Sequence, residues 1–218
     1  MQDIAAKLDS PLFDGIQMEN LKTMLSCIGY HAGNYKKGEI VAFEGENIKH
    51  IGIVLSGKVD MIKEDLWGNK TLLVRMHQQD VFGETFACGD DSQAVVSFQV
   101  MEDAEILFIS FQKVMHTCTN ACAFHHQLVE NMVRLIANKN RDLMQKIEII
   151  SKKTLREKIL AYLSLQVQMQ NKRYFEIPLG RVELADYLCA DRSALTRELS
   201  NMRQEGLIDY DRNMFRVL

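Results

Sequence analysis

No run of about 18 apolar residues occurs in this sequence, so it offers no membrane-spanning helix. The first ten residues carry Asp3, Lys7 and Asp9 where a secretory leader needs an unbroken apolar stretch, so the expectation is a cytoplasmic chain without a membrane partner. Cysteine is scarce and odd in number, five in all, which in a chain lacking a leader speaks against a disulfide framework and for reduced thiols. A nucleophile elbow, a phosphate-cradling glycine loop and a metalloprotease helix are all missing, and Glu84 has no companion acid or base, so no enzyme is expected. Two further gaps divide the chain: glycine is absent from Phe111 to Gly180, and lysine and arginine are absent between Arg75 and Lys113.

What is present is ordinary for a folded protein: 218 residues, 47% hydrophobic and 25% charged, enough for two small domains with a core each. The net charge of −3 hides an asymmetry. From Ser151 onward there are 12 Lys and Arg against 9 Asp and Glu, a surplus of three positive charges, which leaves 14 against 20 before it. Binding phosphate needs a basic face rather than a basic protein, so an acidic first part and a basic tail are compatible with a nucleic-acid partner.

From about Lys36 to Phe111 short apolar runs alternate with glycines: Glu39 to Phe43, His50 to Leu55, Lys58 to Ile62, Thr71 to Arg75, Ala94 to Phe98 and Ala104 to Ile109. Their lengths suit a small antiparallel roll or barrel, with Trp67-Gly68-Asn69 as a hairpin tip. After Phe111 helix formers take over. Val129, Met132, Ile136, Leu143, Ile147 and Ile150 recur near spacings of 3, 4 and 7, interrupted by Lys139 and Lys146, which suits a helix that pairs with its own copy through Val129, Met132, Ile136, Leu143 and Ile147. The plainer reading of that stripe is packing against the roll. Thr154-Leu-Arg-Glu157 fits a capping box that opens a second helix, with Ser151-Lys-Lys153 before it as a hinge.

Arg181 to Ser200 has the spacing of a helix-turn-helix. Leu184, Ala185 and Leu188 would face the partner helix, and Leu195, Leu199 and Met202 form an i, i+4, i+7 core stripe. The opposite face then holds Arg192, Ser193, Thr196, Arg197, Ser200 and Arg203, side chains able to bond base edges and phosphates, with Asp191 placed to cap the helix. Cys189 occupies the turn position that commonly takes glycine in a left-handed conformation. Two short strands around Asp211-Arg-Asn213 would add a wing. The competing use of such a module is protein contact.

Taken together, Lys37-Gly38-Glu39, Leu55-Ser-Gly-Lys-Val59, Val81-Phe-Gly-Glu84, the long helix, Thr154 to Leu163 and the helix-turn-helix ending Arg203-Gln-Glu-Gly-Leu-Ile208 resemble the CRP/FNR superfamily of bacterial regulators over nearly the whole chain. The resemblance implies an α+β chain: an N-terminal antiparallel β-roll of the cyclic-nucleotide-binding type at 1–120, a dimerisation helix at 121–150 and a winged helix-turn-helix at 151–218. It implies a homodimer on a palindromic double-stranded DNA operator, half-sites roughly 34 Å apart, with RNA polymerase as a further partner. A sensor or scaffold whose winged helix binds protein is the alternative.

The resemblance also places an effector pocket at Gly83, Glu84, Thr85, Ser92 and Gln93. Cyclic-AMP-binding members follow the Gly-Glu pair with an Arg-Ser whose arginine neutralises the phosphate, whereas this chain has Ser92-Gln-Ala-Val95 and no cation nearby in sequence. A phosphate monoanion facing Glu84 without a cation is heavily penalised, so a cyclic nucleotide is not the expected effector. In the recognition helix many relatives carry glutamate where this chain has Ser193, while Arg197 matches the guanine-reading arginine. Oxygen-sensing relatives hold an iron-sulfur cluster on a compact N-terminal cysteine set, and this chain offers only Cys27 there. Cys118, Cys122 and His125 or His126 share one side of a helix, with Cys88 within possible reach, a candidate set for metal, haem or thiol redox chemistry; the default for such cysteines is helix packing.

Overall fold

Two long strands organise the first part of the chain. In a computed structural model describing residues 4–89, 91–115 and 123–218, the chain divides into two compact units, Met1–Ala137 and Asn138–Leu218. The first unit carries an antiparallel sheet of β1 (Tyr30–Tyr35), β2 (Ile40–Ala42), β3 (His50–Glu64), β4 (Lys70–Met76), β5 (Val81–Phe82) and β6 (Ser97–Ser110). The path runs β1-β6-β3-β4, with β2 on β6 and β5 on β3. The runs flanking Gly57 are one strand rather than the two that the sequence suggests. At Gly57, with φ 83°, the register against β6 shifts between Val54 and Val59, so the strand bends without ending. A Cβ there would lie 2.4 Å from the Asp103 carbonyl, so the bend requires glycine. The end of the run Ala94 to Phe98, from Ser97 on, and the run Ala104 to Ile109 likewise merge into β6.

Residues on alternate faces of these strands feed two cores. Val54, Val59, Met76, Phe82, Phe86, Val96, Phe98, Val100 and Ile106 fill the roll. Its centre is aromatic, with ring centroids 4.9 Å apart for Phe82 and Phe98 and 6.4 Å for Phe86 and Phe98. On the other side Ile51, Ile53, Leu55, Leu107 and Ile109 pack against Leu12, Phe13, Leu21, Met24, Leu25 and Ile28. These come from the short turn Pro11–Phe13 and from α1 (Met18–Ile28). The short helices α2 (Glu84–Ala87) and α3 (Phe111–Met115) leave β5 and β6.

The long helix α4 spans Ala123–Ile150. Of the five residues expected on its self-pairing face, Val129, Ile136, Leu143 and Ile147 stay on one open line and Met132 does not. Met132, read as part of a self-pairing face, is 2% exposed and joins Leu128 and Leu135 in the core of the first unit. The line left open is Val133, Ile136, Leu143, Met144 and Ile147, with Val129 and Ile150 half-buried at its ends.

The second unit packs the end of α4, through Ile149, with α5 (Leu155–Gln170), β7 (Tyr174–Glu176), α6 (Arg181–Tyr187), α7 (Arg192–Gln204), β8 (Ile208–Asp211) and β9 (Met214–Val217). The capping box at α5 forms: Thr154 accepts from the Glu157 amide at 3.2 Å and the Glu157 carboxylate from the Thr154 amide at 3.0 Å. The strands run β7-β9-β8, and the β8–β9 hairpin turns at Arg212, φ 50°, within the expected Asp211-Arg-Asn213 tip.

Candidate nucleic-acid interface

The outer face of α7 is built by the core beneath it. Leu195, Leu199 and Met202 are fully buried, as are Leu184, Ala185 and Leu188 on and just after α6, so the two helices meet over small Ala185 as their spacing implies. That fixes what faces outward. Arg192, Ser193, Thr196, Arg197 and Arg203 are exposed and Ser200 is half-buried. All but Arg203 line one shallow depression, together with Asp191 and Asn201. Asn201 was not singled out from the sequence, although it lies four residues after Arg197 and shares its face.

The turn between the helices places Cys189 at φ 50°, the left-handed conformation expected there, with the thiol exposed. Asp191 caps α7, its carboxylate accepting from the amides of Ser193 at 2.8 Å and Ala194 at 3.1 Å and from the Ser193 hydroxyl at 2.5 Å. Those bonds, first the Ser193 hydroxyl and then the two amides, hold the Asp191 carboxyl below its ordinary range, with Arg197 adding charge attraction. Thr196 donates to the Arg192 carbonyl at 2.9 Å, which fixes its rotamer and leaves its oxygen able to accept.

The carboxylates of Glu198 on α7 and of Glu205 just after it share one cation. Arg156 of α5 meets Glu198 at 2.5 Å and grips Glu205 through two nitrogens at 2.7 and 2.8 Å, so one of the two negative charges on this side of α7 is balanced. Arg203 is paired with Asp209 at 2.8 Å and stands over the Tyr210 ring at 5.4 Å, at the base of the wing. Arg181 performs a role that sequence reasoning missed. Its guanidinium lies over Tyr210 at 4.9 Å and Phe215 at 5.1 Å and donates to the Arg212 carbonyl at 2.7 Å, so it ties the wing to the start of α6. Burial pulls its pKa down, against a smaller opposing pull from Tyr210.

In the first unit, three of the five expected pocket residues, Gly83, Ser92 and Gln93, contact the stretch from Gly45 to His50. Ser92 bonds the Asn47 side chain at 3.2 Å and accepts the Ile48 amide at 2.8 Å, and Gly83, φ 78°, lies against Ile48 and the His50 carbonyl. Glu84 is 6% exposed, Thr85 is exposed, and the Gln93 amide is spent on the Gly45 carbonyl at 3.2 Å. Arg75, the nearest preceding cation in sequence, grips Asp60 bidentately at 2.8 Å through both oxygens. His31 stacks on Phe108 at 4.9 Å and meets His50 edge-on at 5.3 Å.

Of the candidate metal or redox residues, Cys118 and Cys122 lie outside the described residues. Cys88 is half-buried, His125 is 2% exposed and His126 exposed. Burial, helped by Glu84, pushes the Cys88 thiol up to about 11. Among the described residues no group of three or more histidines, cysteines and carboxylates converges on a metal-sized site, and no helix is long and apolar enough to cross a membrane.

Comparison with known proteins bears on both units. Residues 33–120 match the family model of the cyclic nucleotide-binding domain and residues 157–218 that of the Crp-like helix-turn-helix domain. The chain is 24% identical over 202 residues to the cyclic AMP receptor protein of Thermus thermophilus, spanning 91% of this chain and 88% of that protein. It is 25% identical over 173 residues to the anaerobic regulatory protein of Bacillus subtilis, spanning 77% and 71%. Its fold matches that of the c-di-GMP-responsive global regulator CLP of Xanthomonas campestris with a TM-score of 0.63 at 16% identity, over 92% of this chain and 99% of that one.

Proposed function

Since this chain belongs to the CRP/FNR superfamily of transcription regulators, we propose that it acts as a homodimer that reads a palindromic operator through α7 under the control of a signal received in the roll. The observation that carries the reading is the outer face of α7. Arg192, Ser193, Thr196 and Arg197 stand clear of the core on a capped helix beside a wing, and the helix's carboxylate Glu198 is paired with Arg156. Arg192 and Arg197 are the base readers, Thr196 and Ser200 assist, and Arg203 contacts phosphate. Ser193 cannot supply the glutamate contact of many relatives, so the operator differs from theirs. The open line of α4, from Val129 through Val133, Ile136 and Leu143 to Ile147, supports pairing with a second copy. RNA polymerase is a further partner of the DNA-bound dimer.

The signal is a small effector or a redox or metal event, and not cyclic AMP. The relatives are named for cyclic AMP, anaerobic regulation and c-di-GMP, so membership alone does not name it. The residues present do not fit a cyclic nucleotide. The segment that would cradle it offers a buried carboxylate at Glu84 and no cation, Arg75 is committed to Asp60, and the roll behind is packed with Phe82, Phe86 and Phe98. A thiol held near 11 also makes Cys88 a poor thiolate ligand at neutral pH.

The test is fluorescence anisotropy of the purified chain on duplexes enriched from a random pool. Binding to the enriched duplex that falls steeply with salt, and drops about 5- to 150-fold on Arg197→Ala with the loss concentrated at one base pair per half-site, is the expected result. Binding no tighter than to scrambled duplex under any effector condition would favour the protein-contact use of the winged helix.

A further inference from the structure

The open face of α4 follows a strict alternation of four and three residues: Val129, Val133, Ile136, Asn140, Leu143, Ile147, Ile150. Val133, Ile136, Leu143 and Ile147 are 62%, 39%, 55% and 53% exposed, while Leu128, Met132 and Leu135 on the other side are buried. In heptad terms Val133, Asn140 and Ile147 take the a positions and Val129, Ile136, Leu143 and Ile150 the d positions. Branched residues at a favour two parallel strands only with leucine at d, and here Leu143 alone is leucine while Val129, Ile136 and Ile150 are β-branched. Strand number as well as register is therefore left to the single asparagine at a, which specifies both at a cost in stability.

The flanking positions supply no charge code. Those after each d residue are Glu130, Ala137, Met144 and Ser151, and those before each a residue are Met132, Lys139 and Lys146. In a parallel pairing Lys139 meets the partner's Met144, and Lys146 already lies over the Tyr187 ring of its own chain at 5.3 Å. Register therefore has to come from within the seam.

We propose that Asn140 pairs with the partner's Asn140 and is the residue that fixes the parallel, in-register, two-stranded pairing of α4; this rests on the homodimer reading above. A side-chain amide closed into an apolar seam needs a partner for both its donor and its acceptor. Its own copy at the same height provides them. A slip of one heptad sets each Asn140 against Val133 or Ile147 and leaves both amides unmet. The consequence reaches the DNA-binding face, because Asn140 to Ile150 belongs to the same compact unit as α7, held by Ile149 in its core and by Lys146 on Tyr187. The pairing register thereby sets the separation of the two recognition helices.

The test uses the full chain, with and without Asn140→Ile, in sedimentation equilibrium. A Leu143→Cys background reports register through an intermolecular disulfide joining the two copies of that position, identified by peptide mass spectrometry. The expected result is that Asn140→Ile associates at least about tenfold more tightly, populates species beyond the dimer, and loses at least half of the disulfide yield. It should bind the enriched duplex more weakly despite its higher melting temperature. An Asn140→Ile chain that stays a homogeneous dimer with full disulfide yield overturns the proposal and leaves the dimer standing. A wild-type chain that sediments as a monomer, alone and on DNA, overturns the dimer reading and the proposal with it.

Discussion

Neighbouring residues Met132 and Val133 should respond to substitution in opposite ways, and the contrast follows from the phase of α4. Met132 is 2% exposed, inside a core with Leu12, Phe13, Leu128 and Leu135. Met132→Ala removes buried atoms and leaves a cavity, so it should cost about 3 kcal/mol and lower Tm by about 10 °C. The dimer dissociation constant should shift by less than about threefold, because the lost contacts are internal. Val133 is 62% exposed in the isolated chain, where an aspartate would change the fold by less than about 0.5 kcal/mol. In the dimer, Val133→Asp sets two carboxylates facing each other within an apolar seam. Desolvating them costs several kcal/mol, so the dissociation constant should rise at least about 100-fold. Thermal melts across protein concentrations, together with sedimentation equilibrium, separate the two effects. The wild type and Met132→Ala should show a Tm that climbs with concentration, and Val133→Asp should not. A Met132→Ala chain that melts normally but dissociates, or a Val133→Asp chain that keeps its dimer, would refute the assignment of faces.

Three other outcomes follow from the geometry. Arg203→Ala, which removes a guanidinium held beside the wing by Asp209 and Tyr210, should weaken binding to all duplexes alike and reduce the salt slope by about one; a loss confined to one base pair would make Arg203 a reader instead. Cys88, with its thiol pushed up to about 11, should be alkylated at pH 7.5 well after the exposed Cys189, and equal rates in a quenched mass-spectrometric time course would contradict that environment. His50 is held below its ordinary 6.5, first by burial and then by His31, Lys113 and Lys49. The unfolded chain binds this proton more readily, so the stability it contributes is present above pH 6.5 and is lost as pH falls from about 7 toward the depressed value. His50→Gln should flatten that part of the urea-midpoint profile, and an unchanged slope would count against it.

How much of this was legible beforehand depends on whether local pattern or packing decides. The recognition helix was, because an i, i+4, i+7 apolar stripe leaves its polar face no freedom, and Cys189 and Asp191 sit where turn and cap chemistry require. The burial of Met132 on α4 was not. The apolar residues of that helix come as adjacent pairs, Leu128-Val129, Met132-Val133 and Leu135-Ile136, so two stripes one residue apart fit equally well and only the core beneath selects one. β1 was missed for a related reason. Tyr30-His-Ala-Gly-Asn-Tyr35 has little strand character of its own and becomes a strand by pairing with β6 from Tyr30 opposite Ile109 to Tyr35 opposite Ala104. Arg181 reads as one more surface cation until Tyr210 and Phe215, some thirty residues on, are seen to lie beneath it.

The central claim, operator recognition by a two-fold dimer through α7, is met most directly by selecting from a random duplex pool with the purified chain, under reducing and oxidising conditions and with zinc or haem added. The account predicts a palindromic consensus with half-sites about one helical turn apart, lost on Arg197→Ala. A pool that shows no enrichment under any of these conditions, or a consensus that survives Arg197→Ala unchanged, would contradict it.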